Sequence, residues 1–238
     1  MTALTLKTAL LAGLALVMGV LVLRMEPIPQ DIAYHAFADA RPFLGIPNFL
    51  NVVSNLAFVA VGVAGMVVLA SPDLQGGVPE LRSIYRVFFV GLLLVGLGSG
   101  YYHLDPSNAT LLWDRLPMSL AFMAFFSVML GERISVTAGR RLFLPLLVAG
   151  VLAVVNWYFS EQRGAGDLRP YVLVQFLPML LVPVMLLVFR ARFSGSGWLW
   201  GMLLAYAGSK AAELGDVAVF ELTGVLSGHT LKHLLAAL

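Results

Sequence analysis

Residues 86–105 read RVFFVGLLLVGLGSGYYHLD, with 18 uncharged residues between Arg86 and Asp105. A transmembrane helix needs roughly 20 mostly apolar residues, with a range near 17–25 once its flanks are counted. The segment meets this length, and its three glycines around Ser99 would let a neighbouring helix approach closely. It therefore predicts a membrane-spanning helix whose polar side chains are concentrated near one end.

Seven other stretches are similarly poor in charge, and the last of them has polar residues in its first half. They are bounded by Lys7 and Arg24, Arg41 and Asp73, Arg115 and Glu132, Arg141 and Glu161, Arg169 and Arg190, Arg192 and Lys210, and Asp216 and Leu238. The final stretch ends without a charged anchor, as a clipped chain would. The sequence predicts an all-α integral membrane protein, a seven-transmembrane-helix bundle with one extra amino-terminal transmembrane helix.

Composition agrees with a membrane location. The chain is 60% hydrophobic and 12% charged, whereas an ordinary soluble domain carries about twice that charged fraction. The absence of cysteine excludes disulfides, thiolate metal sites and a cysteine nucleophile. The net charge of +2 is too small to indicate nucleic-acid binding.

Loop charges predict the orientation of the chain. One set of alternate loops, together with the amino end, holds eight basic and three acidic residues, and the opposite side holds the ten other acids. The positive-inside rule then places the amino terminus in the cytoplasm. We expect residues 1–25 to form an anchor helix, 26–47 an extracytoplasmic loop and 48–238 the seven-helix domain. No small-x-small pattern precedes Glu26, so we favour an uncleaved anchor over a signal peptide.

Three histidines, His103, His229 and His233, lie in apolar stretches that are poor in charge, where imidazole is costly and usually belongs to a functional site. The last two are four residues apart, so a helix would place them on one face. With the predicted topology, all three fall in the outer half of the bilayer, close in depth to Ser99 and Asp114.

These five residues suit hydrolysis at a carbonyl. Three neutral imidazoles around Zn²⁺ leave a fourth position open for water, and zinc lowers the pKa of that water toward about 7. Asp114 could accept and later return a proton, and Ser99 could donate to a developing oxyanion. A site below the bilayer surface favours a lipid substrate.

Three segments together resemble the alkaline ceramidase family, within a seven-helix hydrolase superfamily that includes the adiponectin receptors. They are Ser99-Gly-Tyr-Tyr-His103, Trp113-Asp114-Arg115-Leu116-Pro117-Met118 and His229-Thr-Leu-Lys-His233, and Asn51-Val-Val-Ser54-Asn55 is similar to the family's first core helix. The resemblance spans residues 48–238 and suggests a bacterial-type member in the inner membrane. It implies that the three histidines bind Zn²⁺, that Ser99 and Asp114 are catalytic, and that the amide bond of ceramide or another N-acyl lipid is cleaved to release a fatty acid.

Two departures from the family concern ligands. Eukaryotic members carry an acidic, calcium-binding cluster before the first core helix, whereas the stretch 34–39 has one carboxylate, Asp39. One carboxylate is too few for the usual six to eight oxygen ligands, so calcium is not predicted. Lys232 lies between two ligand histidines, where it could hold a polar or phosphorylated headgroup or extend outward to the membrane surface.

Other interpretations of these residues stay open at this stage. Asp114 could only orient a histidine, and Ser99 could bond to its own helix. Asn51, Ser54 and Asn55 are better explained as hydrogen bonds between helices, and Lys210, Glu213 and Asp216 as an internal ion pair. The competing functions are a zinc-containing seven-helix receptor or sensor without turnover, a b-type cytochrome with His103 and His229 as axial ligands, and a retinal protein with a Schiff base at Lys232.

Overall fold

The computed structural model describes residues 3–71 and 76–238. The first two residues of the predicted anchor, and Asp73 at the end of the second predicted span, lie outside these ranges. The described residues form α-helices joined by short connections and two 3₁₀ turns, Ile32–His35 and Pro79–Leu81. The helices are α1 Ala3–Arg24, α2 Phe49–Val53, α3 Leu56–Ala70, α4 Arg82–Leu104, α5 Asn108–Arg133, α6 Val136–Gln162, α7 Arg169–Val188, α8 Ser196–Leu214, α9 Asp216–Thr223 and α10 Gly228–Ala236.

Six of these segments are long and apolar enough to cross a membrane. They are Leu4–Arg24, Phe49–Ala70, Pro79–Leu104, Asn108–Arg133, Val136–Gln162 and Arg169–Val188. The chain is therefore an all-α integral membrane protein, as the uncharged stretches predict. The last predicted span is divided, because Gly224 ends α9 in the left-handed region at φ 65° and Ser227 caps a new helix by accepting from the Thr230 amide.

The chain divides into two compact units. The first comprises Met1–Gln30, Ser71–Phe88 and Ser119–Ser196. Within it, α1 and α6 both pack against α7. The Arg169 guanidinium donates to the carbonyls of Leu23 and Met25, which ties the carboxyl end of α1 to the start of α7.

The second unit comprises Asp31–Ala70, Phe89–Met118 and Gly197–Leu238. Within it, α10 packs against α2, α3 and α9, and Phe58, Val95 and Ala237 form a buried apolar cluster. All five of the predicted site residues belong to this unit.

The α5 helix begins earlier than the uncharged stretch between Arg115 and Glu132 predicts. It starts at Asn108, so Asp114 and Pro117 both lie in its interior. The earlier start follows from capping at Ser107, whose side-chain oxygen accepts a hydrogen bond from the Thr110 amide. Pro117 lacks the amide that would otherwise bond to the carbonyl of Trp113.

Candidate metal centre

The three histidines predicted to bind metal converge at one point. Nε2 of His103 lies 3.2 Å from Nε2 of His233 and 3.3 Å from Nε2 of His229. Each pair of rings has its centroids 4.9 Å apart in an edge-to-face arrangement. All three side chains are buried, and their ligand atoms lie close enough together to hold one metal ion.

The helices explain why these nitrogens meet. His229 and His233 are one turn apart on α10, and His103 is the last residue but one of α4. The Asn48 side-chain amide donates to the backbone carbonyl of His103 at 2.9 Å, which holds the end of α4 against the residue preceding α2. The convergence therefore depends on contacts between segments that are far apart in the sequence.

The donor set suits zinc. Two nitrogens bound at 2.0–2.1 Å to a tetrahedral cation would lie about 3.3–3.4 Å apart, close to the two separations observed here. Ligand histidines usually donate their other ring N–H to a neighbouring acceptor. His233 has such a neighbour, because Ser54 Oγ lies 2.8 Å from its Nδ1 and 3.2 Å from the Asn51 carbonyl. A chain of donation from His233 through Ser54 to Asn51 would leave Nε2 unprotonated and available to a metal.

The α2 region and α10 are joined by further polar contacts. Thr230 Oγ1 donates to Asn51 Oδ1 at 2.8 Å, and Asn51 Nδ2 donates to the Asp39 carbonyl at 3.1 Å. Asn55 Nδ2 bonds to the Asn51 carbonyl at 2.7 Å. The expectation that Asn51, Ser54 and Asn55 make contacts between segments is met, since Asn55 Nδ2 also lies 3.5 Å from His233 Nδ1. The contact of Ser54 supports a predicted metal ligand directly.

Ser54→Ala is expected to weaken metal binding about 10–100-fold while leaving the helices intact, because it removes the acceptor that orients the His233 ring. Titration of purified protein with zinc against a competing chelator measures the affinity. Ser127→Ala is the matched control, since the hydroxyl of this buried serine donates to the Met123 carbonyl of its own helix. Equal zinc affinities in the two variants would contradict the assigned role of Ser54.

Ser99 and Asp114 are also brought together. Both side chains are buried, and the Ser99 hydroxyl lies near enough to the Asp114 carboxyl to interact with it. The close approach of α4 and α5 depends on Gly98, where an added Cβ would overlap the Trp113 carbonyl. That carbonyl is the one deprived of its helical partner by Pro117.

The stretch before α2 covers the histidines, which the sequence did not predict. The Phe37 ring lies 4.6 Å from the ring of His103 and 4.5 Å from that of His229, centroid to centroid. Asp216 accepts hydrogen bonds from the amides of Ala38 at 2.9 Å and His229 at 2.7 Å. Nothing in the sequence marks Phe37 as part of the site, because single aromatic residues are common in loops.

Asp39 in the same stretch has an ion-pair partner. Its carboxylate accepts from the Arg41 guanidinium at 2.7 and 2.9 Å, and this hydrogen bonding holds the pKa of Asp39 below its usual range. The guanidinium also donates to the carbonyls of Gly224 and Val225, at the break between α9 and α10. Asp39 and Arg41 thus attach the covering stretch to the connection that precedes the two ligand histidines.

The charged residues of α8 and α10 form a second cluster beside the histidines. Glu213 pairs with Lys210 at 2.7 Å and with Lys232 at 3.1 Å, which confirms the predicted internal ion pair. Asp216 serves the backbone contacts described above rather than this cluster. Lys232 does not extend outward, because its side chain is only 14% exposed and Nζ lies 3.1 Å from His229 Nε2.

Comparison with known proteins finds distant, partial relatives and one family. The curated protein "SID1 transmembrane family member 1" from Mus musculus is 25% identical over 99 residues, which cover 36% of this chain and 12% of that protein. The Rattus norvegicus protein of the same name gives the same identity and coverage. The chain thus spans a small part of these relatives, and no solved structure matches it significantly. Residues 45–196, more than half of the chain, match the Ceramidase family, and the chain therefore belongs to that family.

Proposed function

We propose that the protein is an intramembrane zinc-dependent hydrolase that cleaves the amide bond of ceramide or a related N-acyl lipid and releases a fatty acid. The observation that carries this proposal is the convergence of His103, His229 and His233 in a chain of the Ceramidase family. The buried Ser99–Asp114 pair belongs to the same compact unit and supplies the protic groups that amide hydrolysis needs.

Each group of residues has its own role in the proposed reaction. The three histidines would hold Zn²⁺, which supplies a polarised water of lowered pKa when bound. Asp114 accepts a proton from the attacking water and passes it to the leaving amine. Ser99 holds Asp114 in place in the resting site and donates to the acyl oxygen when the lipid enters.

We also propose how the chain is placed in the membrane. Loop charges support a cytoplasmic amino terminus and a site in the outer half of the bilayer, in a bacterial inner membrane. Residues 1–25 serve as an anchor, 26–47 as an extracytoplasmic loop that covers the site, and 48–238 as the hydrolase domain. The contact between Phe37 and two ligand histidines supports the covering role.

Metal analysis followed by lipid assays tests the proposed function. We expect one zinc per chain in the purified protein and fatty-acid release from ceramides or other N-acyl lipids in detergent micelles. Prolonged chelation should abolish release, and added Zn²⁺ should restore it, because hydrolysis needs the metal-activated water. Full activity in protein shown to be free of metal would overturn the proposal, as would zinc-loaded protein that releases no fatty acid from any N-acyl lipid.

A further inference from the structure

The second unit contains a buried cluster of two lysines and one glutamate beside the three histidines. Lys232 and Lys210 share the carboxylate of Glu213, whose Oε1 is 3.1 Å from Lys232 and whose Oε2 is 2.7 Å from Lys210. The side chains of these three residues are 14%, 27% and 17% exposed, respectively. Two ammonium groups against one carboxylate leave a formal charge of +1.

Other charged residues lie close to this cluster. Arg115 lies over the ring of Tyr34, whose hydroxyl is 3.5 Å from Glu213 Oε1, and Asp114 precedes Arg115 in α5. Asp216 accepts from the His229 amide at 2.7 Å, so the three cations are matched by three carboxylates while no metal is bound. Neutral imidazoles add no charge, and a bound divalent cation would therefore make the site positive. An unbalanced charge in a low-dielectric site is costly unless a ligand of opposite charge compensates it.

Lys232 is the member of this cluster that points toward the metal ligands. Its ammonium has three N–H donors, and it lies 3.1 Å from both Glu213 Oε1 and His229 Nε2. His229 Nε2 is also the nitrogen that faces His103 Nε2 in the proposed metal site. A nitrogen lone pair bound to a metal cannot accept a hydrogen bond, so metal binding takes this acceptor away from Lys232. The donor that is released lies next to the position where a reacting oxygen must be held.

We propose that Lys232 binds an anionic oxygen of the lipid beside the metal ligands, and that this oxygen belongs to the carboxylate of the released fatty acid. The inference rests on the proposed function and adds a residue that recognises the acyl group. The shared chemistry, an anionic oxygen, could also come from a phosphorylated headgroup. Contact with His229 favours the acyl source, because the scissile carbonyl must approach the same nitrogen-lined site.

Binding of product tests the assignment in zinc-loaded protein. We would measure the affinity of palmitate and of hexadecanol, which has the same chain without the charge, by calorimetry in detergent micelles. Lys232→Met should lower the palmitate-to-hexadecanol affinity ratio about tenfold or more, since a hydrogen bond to a charged group is lost. Lys210→Met is the matched control, because it removes a charge from the same Glu213 pair, and it should change the ratio less than about threefold. Lys232→Arg should keep the preference for palmitate.

A separate arm distinguishes the two sources of the anion. An N-acyl lipid with a phosphorylated headgroup is compared with its neutral counterpart, and Lys232→Met should lower the affinity of both equally. An effect confined to the phosphorylated lipid would overturn the acyl assignment. Glu213→Gln provides a second variant that leaves Lys232 present, and it should strengthen palmitate binding about threefold or more by raising the local positive charge.

The outcomes also separate this inference from the proposed function. An unchanged palmitate preference in zinc-loaded Lys232→Met, or weaker palmitate binding in Glu213→Gln, would overturn the role of Lys232 and leave the hydrolase proposal standing. Wild-type protein without zinc or without hydrolysis would overturn the proposed function itself. Zinc content is measured for each variant, so that loss of the metal is not mistaken for loss of anion recognition.

Discussion

Replacing His103 with alanine is expected to remove bound zinc and to reduce fatty-acid release by at least about 1,000-fold, because metal activation supplies several kcal/mol of the barrier reduction. Nε2 of His103 is the atom within 3.2–3.3 Å of both other ligand nitrogens. Its loss would leave two imidazoles on one helix, which cannot enclose the ion. Metal analysis and a lipid-release assay on the same preparation measure both effects.

The fourth histidine provides the control for this substitution. His35 is hydrogen-bonded to the Tyr102 hydroxyl at 2.8 Å and to Asn108 Oδ1 at 3.0 Å, and it is not a member of the group of three. His35→Ala should therefore retain zinc at one ion per chain. Retention of zinc and activity by His103→Ala, measured beside His35→Ala, would remove the basis of the metal centre.

Asp114→Asn is expected to keep zinc and to lower the rate of release about 100- to 10,000-fold, the usual contribution of a general acid–base group. Asparagine has nearly the same shape and can still meet Ser99, but it cannot accept the proton from the attacking water. Single-turnover assays with zinc-loaded variants separate this chemical defect from any change in lipid binding.

Asp105→Asn is the matched control for Asp114, since Asp105 is an exposed carboxylate in the turn between α4 and α5. Activity close to wild type is expected for it. A protein that acts as a receptor or sensor would give a different result, with zinc bound and no reaction for Asp114→Asn to slow. A rate for Asp114→Asn equal to that of Asp105→Asn would leave Asp114 with a role in orientation alone.

The amino-acid sequence predicted the membrane class because charge is costly in hydrocarbon, so uncharged stretches mark helices without knowledge of their packing. It predicted the pairing of His229 and His233 for a similar reason, since residues four apart share one face of any helix. The ion pair between Lys210 and Glu213 depends on the same local geometry, with a separation of three residues. These features follow from the chain's composition and spacing.

The length of a stretch poor in charge did not predict where a helix breaks. The stretch 216–238 is long enough to span the membrane, yet Gly224 and Ser227 divide it into α9 and α10. The start of α5 was also misplaced, because capping at Ser107 extends the helix two turns before Asp114. Local hydrogen bonds of caps decide these boundaries, and hydrophobicity carries little information about them.

Only the tertiary structure decided which residues surround the three histidines. It placed Ser54 against His233, Phe37 over His103 and His229, and Lys232 inward on Glu213 instead of outward. The sequence by itself determined the membrane-spanning helices and the residues able to bind a metal, since these depend on solvation and on spacing within one helix. Their convergence required α4, α2 and α10 to pack together, and contacts between residues more than 100 positions apart leave no periodic signal in the chain.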